Sequence, residues 1–188
     1  GITLEFQGEP GFQLWLDSLE DQRKGIELLN ARIDNTVPYA TVFVPQGKLG
    51  HFLNLVTEYA TTLTAQGRAR EKVVESITGI RRATLRSFWT DVPNLFPQND
   101  APVWWEVWLR ARRDTHGDLM VQQFRMLAAE CGLQPGAFDI VRFAERAVVL
   151  VWGPASSWTQ RSELLDMVAE LRKAKELPTG YTTLPPRW

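Results

Sequence analysis

The sequence is poor in the residues that bind metals and form disulfides. It holds one cysteine, Cys131, and two histidines, His51 and His116, in 188 residues. A single cysteine cannot form an internal disulfide, and so few soft ligands argue against a structural zinc site. The glycines are scattered singly, so no phosphate-cradling loop is formed. We therefore expect neither a metal nor a cofactor.

Long apolar runs and an excess of one charge are also missing. No stretch of about 18 apolar residues is present, and no signal-peptide pattern opens the chain. The 21 Lys and Arg residues nearly balance the 22 Asp and Glu residues, whereas proteins that bind nucleic acid or anionic membranes normally carry a basic excess. These features predict a cytoplasmic protein that binds neither nucleic acid nor membrane. Gly1 and Trp188 are expected to be cut points in a longer parent chain.

Catalytic constellations are hard to find. The string DTHGD (114–118) places Asp, His and Asp within five residues, which suggests either a catalytic or metal site or a polar turn with Asp118 as a helix cap. The polar turn is favoured, because nucleophilic sites assemble from separated positions held by a structured surrounding. No serine lies in a nucleophile elbow. We therefore expect no catalytic residue in this chain.

Hydrophobic residues make up 44% of the sequence, enough for one large or two small domains with a buried core. In the first half, alternation predicts a strand over 1–7. Residues 12–22 are ambiguous, and an extended start closing into a helical turn is favoured. Two aliphatic segments, 26–33 and 39–44, predict a hairpin, and apolar residues at helical spacing predict a helix over 49–60.

A second helix is predicted over 70–89, with Val73, Ile77, Ile80 and Phe88 on its apolar side. A proline-rich connector follows it. The far side of this helix is basic, and a solvated surface is favoured there over contact with an acidic partner. Its basic residues, with two neighbours, are Arg68, Lys72, Arg81, Arg82 and Arg86. A loose acidic run is also expected to be solvated. It consists of Glu5, Glu9, Asp17, Glu20 and Asp21.

The second half repeats this order of elements. A strand is predicted over 103–112 and a helix over 118–131, with Cys131 on the apolar stripe. A strand pair follows at 138–143 and 147–152. A capping box then starts a last helix that runs from about 157 past Leu171.

The element order predicts an α+β fold. Two βαββα units resemble ferredoxin-like halves, with antiparallel sheets covered by helices and a helix joining them. Residues 1–66 form the first half, and 67–101 form the linking helix and connector. Residues 102–176 form the second half, and 177–188 an extended tail.

The eight tryptophans are the most unusual feature of the composition. Trp105 alternates with core residues, whereas Trp104 and Trp108 lie on the opposite face of the same strand. That face is either packed in a core or interdomain contact, or it docks a protein partner. A single-stranded nucleic-acid platform would need a basic groove, and the nearby basic residues lie at one end of the strand. They are Arg110, Arg112 and Arg113.

Five strings of the sequence resemble one known family. They are IELLNAR, YATVFVPQGKLGHF, RATLRSFWTDVPNLFP, WWEVWLRAR and VAELRKAKE. In this order they are similar to the region that precedes the peptidase domain in a group of bacterial subtilisin-like serine proteases (subtilases). The resemblance covers about residues 1–176.

The resemblance implies an accessory or propeptide-like domain. The Asp, His and Ser motifs of subtilases are missing, so no catalytic residue carries over. Propeptides of such enzymes lay a sheet on the peptidase domain and pass an extended tail through its cleft, which makes that domain the expected partner. An ATPase neighbour is a further expectation. The chain is about twice the size of a simple propeptide, which leaves a regulatory or docking role beside inhibition.

The residues expected to bind the partner are Trp104, Trp108, Tyr181, Leu184, Arg187 and Trp188. The first two lie on the outer face of the tryptophan strand and the other four in the tail. The alternative is a stand-alone protein-interaction module that uses the same aromatic face.

Overall fold

A computed structural model describes residues 1–11, 14, 16–54, 77–110, 117–137, 140–143 and 145–175. The chain divides into two compact units, Gly1–Ser87 and Phe88–Trp188. Each unit contains an antiparallel sheet, one of four strands and one of five, with few helices beside them. The chain is thus a mixed α and β protein, as the sequence predicted.

Four strands are present in the part of the first unit that the structure describes. They are β1 (Ile2–Gly8), β2 (Glu27–Asp34), β3 (Val37–Val44) and β4 (Ile77–Arg82). Their order in the sheet is β2-β3-β1-β4, and every neighbouring pair is antiparallel. Two 3-10 turns, Leu16–Leu19 and Gln22–Lys24, lie between β1 and β2, and a helix, α1, includes residues 49–54.

One face of this sheet forms the core of the first unit. Strand alternation places Leu4 and Phe6 of β1 on the same face as Val42 of β3, and all three are buried. Phe52 of α1 packs edge-on against Phe6, with ring centroids 5.7 Å apart. The predicted strands at 1–7, 26–33 and 39–44 and the start of the helix at 49 are therefore confirmed.

Two residues with positive φ join β2 to β3, namely Asn35 (φ 47°) and Thr36 (φ 70°). Positive φ at both central residues is typical of the type I′ turn, whose twist matches a two-residue hairpin. Asparagine tolerates this left-handed conformation, whereas a β-branched residue does so at a cost.

Replacing Thr36 with glycine is therefore expected to stabilise the chain by about 0.5 kcal/mol. The relief of left-handed strain exceeds the entropy that glycine loses on folding. Chemical denaturation measures the difference. Asn35→Gly is the matched control and should change stability less, so equal effects of the two substitutions would contradict this account.

The described part of the second unit contains five strands and one long helix. The strands are β5 (Val103–Arg110), β6 (Gln134–Pro135), β7 (Val141–Arg142), β8 (Arg146–Gly153) and β9 (Val168–Lys173). Their order is β6-β8-β5-β9, with β7 also paired to β8, and all pairs are antiparallel. The helix α2 spans Gly117–Glu130, and a short helix α3 spans Ser162–Leu165. The 3-10 segments of this region are Leu85–Phe88, which begins in the first unit, Pro93–Leu95 and Ala155–Thr159.

Aromatic rings fill the core of the second unit. Trp105 is fully buried and meets Trp89 and Trp158 edge-on, at centroid distances of 5.9 and 5.6 Å. Its indole N–H donates to the carbonyl of Gly153 at 2.8 Å, so the buried polar atom is satisfied. Phe124 of α2 packs on Trp158. Cys131, at the end of α2, is buried as predicted.

The helix predicted over 70–89 is wrong for the part that the structure describes. Residues Ile77–Arg82 form β4, which pairs with β1. Ile77 and Ile80 lie three residues apart and still share a face, because the register shifts between Gln7 and Gly8. An extra residue in a strand changes the spacing of same-face side chains from two to three. That spacing matches a helix, which explains the error.

The last predicted helix is also wrong beyond its first turns. The segment 155–165 does contain helical turns, but Val168–Lys173 is strand β9. Val168 and Leu171 pair with Leu109 and Val107 across a second register shift. They therefore share one face at a spacing of three, as in the case of β4. In each unit, the last strand along the chain (β4 or β9) therefore lies where a helix was predicted, and it forms one edge of the sheet.

Two smaller expectations need correction. Only Val141–Arg142 forms a strand within the described part of 138–143. Asp118 lies in the first turn of α2 and not at its cap, because the helix begins at Gly117. The Asp118 carboxylate pairs with the Arg142 guanidinium. Asp114 and His116 lie outside the described residues.

Candidate interaction surface

The two faces of β5 differ in burial, as the alternation predicts. Trp105, Val107 and Leu109 are fully buried on the core side. Trp104 and Trp108 project from the opposite side and are half-buried. Both rings of the pair are thus partly exposed.

Strand pairing continues the outer face across β8. Trp104 lies opposite Trp152, and Trp108 lies opposite Val148. The rings of Trp104 and Trp152 are 5.6 Å apart and tilted by 54°. The β7 residue Val141 also pairs with Val148, and Val141 is 53% exposed. We call this set the aromatic face. Its members are Trp104, Trp108, Val141, Phe143, Val148, Leu150 and Trp152.

Trp108 contacts an aromatic ring and a guanidinium. Phe143 stacks on it at 5.3 Å with an interplanar angle of 11°. The guanidinium of Arg172 lies 4.6 Å from the ring centroid, in cation–π geometry. The indole N–H donates to Glu106 Oε1 at 2.7 Å. The ring is thus already engaged by a stacked phenyl ring and a guanidinium, which disfavours its use as a stacking platform for nucleic-acid bases.

The charged side chains around the aromatic face bind one another. Arg172 Nη2 donates to Glu170 Oε2 at 2.8 Å, and Thr90 Oγ1 donates to the same oxygen at 2.9 Å. Glu106 accepts from Trp108. Because these charges are already paired, the surface presents mainly apolar side chains. An exposed apolar patch of this kind is typical of a protein-binding site.

The structure extends the site beyond the residues predicted from sequence. Trp104 and Trp108 lie on the aromatic face, whereas Tyr181, Leu184, Arg187 and Trp188 lie outside the described residues. Trp152, Phe143 and Val141 were missed. Alternation in AVVLVW (147–152) was a usable signal for Trp152, since it separates Trp152 and Leu150 from the buried Val149 and Val151.

Glu5, in the first unit, was predicted to be solvated and is instead buried, with 1% of its side chain exposed. Arg32 Nη2 donates to its Oε2 at 2.7 Å, and Arg81 Nε donates to its Oε1 at 2.7 Å. The basic residue Arg81 was assigned to a solvated helix side and instead pairs with this carboxylate.

The pKa of Glu5 is lowered below its ordinary value of 4.5. Burial alone would raise the pKa, but hydrogen bonds from Ser87, Arg32 and Arg81 and the charge of Arg32 outweigh it. Both carboxylate oxygens are occupied by arginines. The cluster therefore connects three strands, β1, β2 and β4, through one carboxylate.

One further sequence candidate, His51, forms an ordinary contact. His51, expected on an outer helix face, receives a hydrogen bond from the Lys24 ammonium.

Within the described ranges, no three His, Cys, Asp or Glu side chains are grouped so as to hold a metal ion. No helix in the described part of the chain is long and apolar enough to cross a membrane.

Comparison with known proteins gives no assignment. No protein-family model and no curated protein matches this chain.

Proposed function

We propose that this chain is a non-catalytic accessory domain of a subtilisin-like serine protease, which docks on the peptidase domain of its parent protein. The docking assists folding, restrains activity or positions a regulator. The observation that carries the proposal is the aromatic face, a half-exposed apolar surface on one side of the second sheet. The subtilase strings of the sequence supply the candidate partner.

The proposal includes a ferredoxin-like fold for both units. In the first sheet the strands, numbered along the unit, follow the order second, third, first, fourth. The second sheet follows the same order when the two short strands β6 and β7, which both pair with β8, are counted as one position. Helical segments lie between the first and second positions and between the third and fourth. This β-α-β-β-α-β order supports two ferredoxin-like units, as expected for an enlarged propeptide-like domain.

The chemistry of the aromatic face supports a protein partner. Tryptophan and phenylalanine contribute large contact areas and are enriched where protein surfaces meet. The charged groups nearby are paired within the chain. Binding should therefore depend weakly on salt, because exposed charges contribute little to it. A cytoplasmic location and an ATPase neighbour remain parts of the proposal.

The test is a binding and cleavage assay with the separately purified peptidase portion of the parent protein. We expect a one-to-one complex on gel filtration and a changed rate of cleavage of a chromogenic peptide. A complex with an unchanged rate would favour docking over inhibition. The protease assignment would be wrong if no complex forms at micromolar concentrations.

A stand-alone interaction module is the second candidate. The same aromatic face favours it, since nothing in the geometry of that face requires a peptidase as partner. The two candidates differ in the gel-filtration result, because a stand-alone module has no affinity for the peptidase portion.

A further inference from the structure

The outer edge of β2 carries a feature that the proposed function does not use. β2 lies at one end of the first sheet, and its inner edge pairs with β3. A two-residue turn, Asn35 and Thr36, closes this hairpin, so Asp34 and Val37 flank the turn and form a hydrogen-bonded pair. In an antiparallel ladder, hydrogen-bonded and non-hydrogen-bonded pairs alternate.

The backbone groups of Ile33 and Ala31 are therefore directed away from β3. Ile33 lies opposite Pro38, which has no N–H to donate, in agreement with a non-hydrogen-bonded pair. Ala31, two residues earlier, has the same orientation. Outside the strand ladder, no backbone hydrogen bond to either residue occurs in the described part of the chain. Among the described residues, this edge thus offers two N–H and two C=O groups at strand spacing.

A cleft of about 740 Å3 opens beside these residues. Its lining is mainly apolar and includes Leu14, Leu16, Ala31, Ile33 and Pro38. Ile33 is 73% exposed, although it is a large aliphatic side chain. The far end of the hairpin is fixed by a hydrogen bond from Gly11 N–H to the Thr36 carbonyl at 3.0 Å.

We propose that the outer edge of β2 and this cleft together form a binding site for an extended peptide segment of a partner protein. The peptide adds as a strand to β2 and hydrogen-bonds to Ala31 and Ile33. Alternate side chains of an added strand lie on the same face as those of Ala31 and Ile33, which is the cleft side. The peptide therefore carries apolar residues at every second position.

The outward-facing backbone groups of Ala31 and Ile33 determine which kind of ligand can bind. A helix satisfies its own backbone hydrogen bonds and cannot pair with a strand edge. An extended peptide matches the donors and acceptors of an edge strand and obtains its specificity from pockets for alternate side chains. The cleft provides such a pocket directly next to the two outward-facing residues. This site lies in the first unit and does not depend on the proposed protease partner.

The test uses the whole chain and a short, soluble, dye-labelled peptide in which valine alternates with threonine between terminal lysines. Fluorescence anisotropy should show saturable binding. A peptide of the same sequence, N-methylated on the edge that faces β2, should bind about ten-fold more weakly because it loses two hydrogen bonds. Hydrogen exchange at the amides of Ala31 and Ile33 should slow in the complex. Equal binding of the two peptides would overturn the proposal.

Variants of the chain give a second, independent test. Ile33→Pro removes an outward N–H without breaking the β2–β3 ladder, a position where edge strands accept proline. Ala31→Phe keeps the N–H and fills the cleft. Each is expected to weaken peptide binding about ten-fold, whereas Ile80→Thr on the opposite edge strand should leave it unchanged. If Ile33→Pro fails to fold, the Ala31→Phe variant and the methylated peptide still test whether a peptide binds at the edge of β2. Wild-type affinity in a folded Ala31→Phe variant would exclude the cleft.

Discussion

Replacing Glu5 with glutamine is expected to lower the free energy of unfolding by about 3 kcal/mol, because removing one partner of a buried charge cluster leaves the others uncompensated. Glu5 is 1% exposed and Arg32 is 15% exposed, so neither group can recover hydration without a rearrangement. Arg32 also lies over the ring of Tyr39 at 4.4 Å, which fixes its position. Hydrogen exchange at the amides of β1, measured at increasing urea concentrations, gives the change for the first unit.

The matched control is Arg81→Gln. The Arg81 side chain is 62% exposed and can be replaced by water, so its loss should cost no more than about 1 kcal/mol. The expected order of stability is wild type, Arg81→Gln, then Glu5→Gln. If the two variants are equally stable, the carboxylate is not the centre of the cluster.

The same cluster predicts a pH dependence. The pKa of Glu5 is lower in the folded chain than its ordinary value of 4.5, so the unfolded chain takes up the proton first as the pH falls. The stability that Glu5 contributes is complete above pH 4.5 and is lost as the pH falls through the lower, folded pKa. The Glu5→Gln variant lacks this group. Its stability should therefore fall less steeply than that of the wild type below pH 4.5.

Most strands and the long helix could be predicted from the sequence because their side-chain spacing is regular. In β5, Trp105, Val107 and Leu109 alternate with the outer-face residues, and α2 has a regular apolar stripe. The two failures, β4 and β9, share one cause. A register shift in each pairing places residues three apart on one face, and this local spacing cannot be told from that of a helix.

The ion cluster was hidden from sequence reasoning for a different reason. Glu5, Arg32 and Arg81 are far apart in sequence and meet only because β1, β2 and β4 belong to one sheet. Arg81 also lies in a segment that was predicted to be a helix, and its side chain was therefore predicted to face solvent. Charge alone therefore suggested separate acidic and basic surfaces, whereas the sheet order brings the opposite charges together.

Part of the aromatic face was easier to predict. Trp104 and Trp105 are neighbours on one strand and must therefore lie on opposite faces, and strand alternation places Trp108 on the same face as Trp104. Phe143 was not predicted in this way, since it follows a strand of only two residues and reaches the face by stacking on Trp108. The pairing of Trp104 with Trp152 depends on the register of β5 and β8, which the sequence does not reveal.

Replacing both Trp104 and Trp108 with alanine is expected to weaken binding to the peptidase portion at least about 100-fold, because buried interface tryptophans commonly contribute more than about 2 kcal/mol each. Truncation of Trp108 also removes the ring that positions Phe143 and Arg172. The aromatic face would then lose its order as well as its area. Isothermal titration calorimetry with the purified peptidase portion measures the affinity.

The control for this variant is a double substitution on α2, Leu119→Ala with Met126→Ala. These side chains are 58% and 67% exposed, so the substitutions remove apolar surface of the same unit away from the aromatic face. They should leave the affinity unchanged. Thermal melting checks that the tryptophan variant is folded. We expect it to be folded, because the core contact between Trp105 and Trp158 is kept. A folded tryptophan variant with wild-type affinity would show that the aromatic face is not the docking surface.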